Sequence, residues 1–215
     1  MSIFNKCLTK HGIYAFLSVM LLLTLTNSFD ANAAPLAQVS NVTHTITATS
    51  EADSEDTSAG TTADPRDVMI GEVVTASLTF DIASGTTTGV SGTVTVPAGM
   101  QYLATSASVS DNAGLSVQYS LSGGTATGDD LVFTINTPGD AAGTVNNTSG
   151  SAGQITISYD LLVNNITTNQ NNTTLTVGSS ASGNDSSSAG PDLGLTVVEP
   201  NLTIEVRQLP TFNPL

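Results

Sequence analysis

Hydrophobic and polar residues alternate with a period of two over long parts of this chain. Val74, Ala76, Leu78, Phe80 and Ile82 interleave with Thr75, Ser77, Thr79 and Asp81, which sends the apolar set to one face of a strand and the polar set to the other. Val90, Gly92, Val94 and Val96 repeat the pattern until Pro97-Ala98-Gly99 stops it, and Ile155, Ile157, Tyr159, Leu161 and Val163 give a third case. Less regular strand segments run over 42–47, 102–109, 115–121, 131–135, 173–177 and 193–198. Between them lie Gly-, Ser-, Asn- and Asp-rich stretches at 83–89, 122–130 and 138–153, whose side chains and φ freedom suit turns. Past the N-terminus no helical stripe with caps occurs. About eight or nine short strands with one apolar face each predict an all-β fold of two antiparallel sheets packed face to face. A closed barrel has the same period.

The N-terminus follows a different rule. Lys6 and Lys10 precede an apolar run over 13–25, and Ala31-Asn32-Ala33 follows it. Positive n-region, apolar h-region and A-x-A site make residues 1–33 a secretory signal peptide, with cleavage before Ala34. The run falls short of the ~20 apolar residues a membrane span needs, so the mature chain is expected to have no span and to be secreted or held at the cell surface. Residues 34–198 then form the sandwich, and 199–215 are a tail or the start of a second, truncated module.

Export changes the charge. Removing Lys6, Lys10 and Asp30 leaves Arg66 and Arg207 against 17 acidic residues, 2 − 17 = −15. Nucleic acid binding needs Lys and Arg to replace counterions along the phosphates, so DNA and RNA are excluded as partners; cations or a basic partner suit the chain. Cys7 leaves with the signal, so no disulfide supports the fold. With no Trp and few other aromatics, the core must be built mainly from Val, Leu, Ile and Ala. Three loops are long: 50–67 is acidic, 141–153 is rich in Thr, Asn and Gly, and 177–190 has the composition of a flexible linker or of a surface loop ahead of the last strand.

Several phrases carry a family resemblance: Ile70-Gly71-Glu72-Val73-Val74-Thr75, Val96-Pro97-Ala98-Gly99-Met100-Gln101-Tyr102, Ile155-Thr156-Ile157-Ser158-Tyr159-Asp160, and the junction Val197-Val198-Glu199-Pro200-Asn201-Leu202-Thr203-Ile204. In their order they resemble the repeats of large bacterial surface proteins known as isopeptide-forming fimbrial-type domains or domain-of-unknown-function-eleven repeats. The resemblance implies an immunoglobulin-like sandwich acting as a stalk or adhesive module, without a catalytic site. An internal echo fits the junction, since Asn41-Val42-Thr43-His44-Thr45-Ile46 and Asn201-Leu202-Thr203-Ile204-Glu205-Val206 share the pattern N-[VL]-T-x-x-[IV]. Self-cross-linking members use a Lys amine on an early strand. This chain has His44 about there and no Lys beyond Lys10, so a lysine isopeptide bond cannot form in the mature domain.

Candidate chemistry is sparse. His44 is the only mature histidine, and neither Cys nor Lys remains as nucleophile or base, so no catalytic residue is assigned. Asp53, Glu55, Asp56, Asp64 and Asp67 crowd into the acidic loop. Calcium takes 6 to 8 oxygen ligands, which makes these five its candidate ligands, although the EF-hand spacing is absent and a solvated acidic loop has the same composition. Asp111, Asn112, Asp129, Asp130 and Asp140 form a second set scattered over separate turns. Sequons begin at Asn41, Asn147, Asn165, Asn172, Asn184 and Asn201, and a bacterial source implies that they stay unmodified. Two functions follow: an exported spacer or adhesin module, and a calcium-dependent module binding a surface protein or glycan. A concavity lined by aromatics separates them; Tyr102, Tyr119, Phe133 and Tyr159 are expected in the core instead.

Overall fold

A computed structural model describes residues 39–51 and 58–199. The expected signal peptide (residues 1–33), residues 200–215, and Asp53, Glu55 and Asp56 lie outside the described residues. In chain order the strands are β1 (Val39–Thr49), β2 (Arg66–Val68), β3 (Val73–Ile82), β4 (Gly85–Thr87), β5 (Ser91–Thr95), β6 (Met100–Tyr102), β7 (Ser108–Asp111), β8 (Gln118–Gly123), β9 (Leu131–Asn136), β10 (Val145–Asn147), β11 (Gly153–Val163), β12 (Thr174–Gly183), β13 (Ser186–Ala189) and β14 (Leu193–Val197). One sheet has the order β1-β3-β11, with β6 and β7 both on the far side of β11. The other has the order β2-β14-β12-β5-β9-β8, with β13 beside β12. A short β4–β10 ribbon stands apart.

The two sheets face each other as the alternation requires. Val74, Ala76, Leu78, Phe80 and Ile82 of β3 and Ile155, Ile157, Tyr159, Leu161 and Val163 of β11 are buried. Opposite them lie Val94, Leu131, Phe133, Ile135, Leu175, Val177, Leu193, Leu195 and Val197 of the second sheet, in the same core. Gly92 shows how closely the sheets approach: a Cβ there would stand 2.5 Å from Ile157 Cδ1 and 3.2 Å from Leu78 Cδ2. The inner glycine of β5 is therefore a packing requirement, where another side chain would push the sheets apart.

Several expectations change. The segment 102–109 is two strands, β6 and β7, broken by a turn in which Thr105 takes φ 70°. Residues 177–190 are neither linker nor loop: β12 runs on to Gly183 and returns as β13 through Asn184 and Asp185, whose φ values of 50° and 60° suit a type I′ hairpin turn. The pairing is not purely antiparallel, because β2 lies parallel to β14, Arg66 beside Leu195 and Val68 beside Val197. The stretches 83–89 and 138–153 contribute β4 and β10, which pair with each other.

Buried asparagines tie the loops at the two ends of the strands. Asn147 Nδ2 lies 2.8–3.3 Å from the carbonyls of Ile82, Ala83 and Ser151, while its Oδ1 accepts from Ser149 N and Oγ. At the other end Asn169 Nδ2 donates to the carbonyls of Gly99 and Asn164 at 2.7 and 2.8 Å. Asn147 begins a sequon, yet its buried, fully engaged amide has no room for a sugar in the folded state. Asn147→Ala is expected to cost about 1–3 kcal/mol because it strands buried carbonyls, measured as a lower denaturant midpoint with an unchanged slope.

Candidate functional site

His44 occupies a core position. It faces Leu78 across the β1–β3 ladder and is 3 % exposed. Tyr159 on β11 faces Ala76 across the next ladder, so the small side chain of Ala76 leaves the inner face of β3 open between the two rings. His44 Nε2 meets the Tyr159 hydroxyl, and Nδ1 lies 3.3 Å from the carbonyl oxygen of Pro191. A carbonyl only accepts, so Nδ1 carries the proton and Nε2 accepts from the phenol. Burial pulls the imidazole down to about 4, against the opposing effects of the Pro191 carbonyl and the Asp192 carboxylate. Burial also pushes the Tyr159 phenol well above its ordinary range. This pair is a neutral hydrogen-bonded tie from β1 across β3 to β11 and on to the segment before β14.

Of the five candidates in the acidic loop, Asp64 and Asp67 are among the described residues. Asp64 Oδ2 accepts from Ala59 N at 2.9 Å, and the backbone N–H of Asp64 donates to Thr61 Oγ1 at 3.1 Å, making a local turn. Asp67 lies on β2, paired with Thr196. Among the described residues no group of three or more His, Cys, Asp or Glu side chains is placed to hold a metal. Equal shifts of the melting temperature in CaCl2 and NaCl of matched ionic strength would show screening alone. A calcium-specific rise of several degrees, abolished by Asp64→Asn with Asp67→Asn, would instead assign coordination.

The second acidic set serves turns as well. Burial would raise the carboxyl of Asp111, but the N–H groups of Leu115, Val117, Ala113 and Gly114 hold it below its ordinary range. Its oxygens lie 2.7 Å from Leu115 N and 3.0 Å from Ala113 N, which shapes the connection into β8. Asp129 is likewise held down, first by the Thr125 hydroxyl and then by the Ala126 N–H. Asp130 Oδ1 accepts from Val96 N, and Asp140 from the Thr137 hydroxyl. Asn112 Oδ1 accepts from Gln154 N.

Of the four aromatics expected inside, Phe133 and Tyr159 are fully buried and Tyr102 nearly so, but Tyr119 is 38 % exposed. Tyr119 and Leu121 stand opposite Ile135 and Phe133, so they share the inner face of the second sheet. They are accessible because the first sheet ends at β6 and β7 and does not cover them. A groove of about 610 Å³ opens there, lined by Tyr102, Leu103, Ala104, Tyr119, Leu121 and Gly124 among others. The backbone of Ala107 closes one side, donating to the Tyr102 hydroxyl at 3.2 Å and accepting from the Tyr119 hydroxyl at 2.7 Å. Sequence reasoning missed this groove because Tyr119-Ser120-Leu121 alternates just as core strands do.

The chain enters and leaves the sandwich at opposite poles. Val39 pairs with Ile82 at the start of β1, whereas Thr49 pairs with Val74 at its end. The last strand finishes beside Thr49: Val198 N donates to Val68 O, and Val198 and Glu199 share a cleft with Glu51, Met69 and Glu72. The separation is the length of β3, about 33 Å for ten residues at ~3.3 Å each.

No protein-family model matches the chain, and no curated protein matches it. Among solved structures it is similar to the pilus backbone RrgB of Streptococcus pneumoniae, at 14 % identity and a TM-score of 0.45 over 66 % of this chain and 30 % of that one. It is also similar to the C-terminal domain of the AgI/II polypeptide BspA of Streptococcus agalactiae, at 12 % identity and a TM-score of 0.49 over 73 % of this chain and 49 % of that one. A third likeness is to the collagen-binding domain of a Staphylococcus aureus adhesin, at 11 % identity and a TM-score of 0.33, over 58 % of this chain and 88 % of that one. The chain thus spans 30 % of the pilus backbone and 49 % of the BspA domain.

Proposed function

We propose that this chain is an exported structural module of a bacterial cell surface, a spacer that transmits tension from one pole to the other. The observation that carries this is the polar separation of Val39 and Glu199. A force applied to both ends runs along β1, whose hydrogen bonds to β3 lie across the pull. Eight register pairs from Val39–Ile82 to Thr49–Val74 then resist together in shear instead of opening one at a time. The N-terminal export signal and the fimbrial-type phrases support the location, and with no Lys beyond Lys10 the strength is assigned to non-covalent pairing and the His44–Tyr159 tie.

Two copies of residues 39–199 joined end to end should form a rod. Small-angle scattering is expected to show a maximum dimension close to twice that of one copy, with the cross-section unchanged. A dimension near that of one copy would mean that the copies fold back side by side, which a spacer does not do.

A further inference from the structure

We infer that the free edge of β8 and the groove beside it take an extended, Lys- or Arg-bearing peptide segment as an added strand. This goes beyond the spacer function and stands apart from the polar geometry. β8 is the last strand of its sheet and pairs only with β9, in unbroken register over six positions. Among the described residues, its other side makes no backbone hydrogen bond. Such a row of unpaired N–H and C=O groups is a template for another strand, which exposed edges normally block with Lys, Pro, a bulge or short length. Gln118-Tyr119-Ser120-Leu121-Ser122-Gly123 has none of these.

The other edges are protected. β1 is irregular between Ser40 and Thr43 and between Ile46 and Ala48, and Asn41, at φ 50°, turns the strand there. β2 and β6 have three residues each and β7 four. β8 is the long, regular exception, and it is the strand beside which the inner face lies open. An added strand would continue the row of Tyr119 and Leu121, with every second side chain entering the groove toward Tyr102, Leu103 and Ala104.

Charge selects the occupant. Asp111 precedes β8 and Asp129 and Asp130 follow it, whereas Arg66, the cation of the described residues, lies on β2 at the opposite edge of the same sheet. Five strand spacings, about 24 Å, separate the two edges, beyond the ~8 Å screening length at physiological salt. A second copy is itself strongly acidic, with residues 34–215 summing to 2 − 17 = −15, and so is repelled. A cationic segment meets attraction at both ends of the strand.

The test uses the mature protein and a ten-residue peptide alternating Val and Lys, with two controls: the same peptide N-methylated at alternate residues on its pairing edge, and the variant Leu121→Glu. The proposal expects the peptide to bind and to slow hydrogen exchange at alternate amides of residues 118–123 by about tenfold or more. Leu121→Glu should weaken binding about tenfold although it adds an attractive charge, because it places a carboxylate in the apolar row. The methylated peptide, tested on the unmutated protein, should not bind. Equal binding of the methylated peptide, or tighter binding to Leu121→Glu, would show general charge attraction and overturn the proposal. So would absence of peptide binding, protection of β8 that grows with protein concentration alone, or a neutral oligosaccharide occupying the groove in the peptide's place.

Discussion

Acidification from pH 7 to pH 4 is expected to remove about 3 kcal/mol of stability through His44 alone. Its folded value of about 4 lies below the unfolded value of 6.5, and each unit of difference is worth about 1.4 kcal/mol. The sign follows from which form the fold prefers. The neutral imidazole accepts the Tyr159 hydroxyl in the core, so the contribution is complete above pH 6.5 and is lost as pH falls toward 4. The Asp192 carboxylate favours the charged imidazole and so acts against the loss. His44 is the only histidine among the described residues, so in residues 39–199 the window between 6.5 and 4 reports on this one ring. Denaturant midpoints of the unmutated protein and His44→Gln, compared across this window, isolate the effect: the difference between them should shrink or reverse as pH falls. Parallel curves would mean that the imidazole is not buried neutral against Tyr159.

Truncation of Leu78 or Ile157 to Ala should destabilise by about 2–5 kcal/mol, the usual cost of a large-to-small change at a packed site. Both side chains are fully buried on neighbouring strands, directly opposite each other in the β3–β11 register, and both reach the inner face of Gly92. A melting temperature lower by several degrees in each variant would agree; a change below ~0.5 kcal/mol would mean that the strand faces outward. Gly92→Ala provides the complementary check, because its added methyl collides with Ile157 Cδ1. Ile157→Val removes that carbon, so the double variant should be less unstable than the two single losses added together.

The parts of this architecture that were legible in the sequence are the strands whose side chains bury large apolar groups. β3 and β11 alternate without interruption, and their inner faces are the residues the pattern picks out. β12 past Val177 was not legible, because Gly178, Ser179, Ser180 and Ser182 pair with β5 through backbone and a Ser182–Ser91 hydroxyl contact and have no apolar period to show. The parallel contact of β2 with β14 joins three residues to a strand more than a hundred positions away, which local pattern does not encode. The same holds for the site. His44 stands among threonines, and only the approach of Tyr159, 115 residues later, makes it a core residue. The histidine–tyrosine tie across β1, β3 and β11 was not legible from composition. In the 50–67 loop composition did not show that Asp64 accepts from Ala59 N or that Asp67 lies on β2.

The spacer account is tested most directly by stretching single molecules under two attachments. With handles at Val39 and Glu199, at opposite poles, unfolding must shear the β1–β3 ladder. With handles at Thr49 and Glu199, at the same pole, the force opens contacts in sequence. The account predicts a clearly higher unfolding force for the first attachment. It also predicts an extension of about 500 Å, as expected when 161 residues at ~3.3–3.6 Å each are released from a fold about 33 Å long with no internal cross-link. Equal forces, or an extension far below that length, would contradict it.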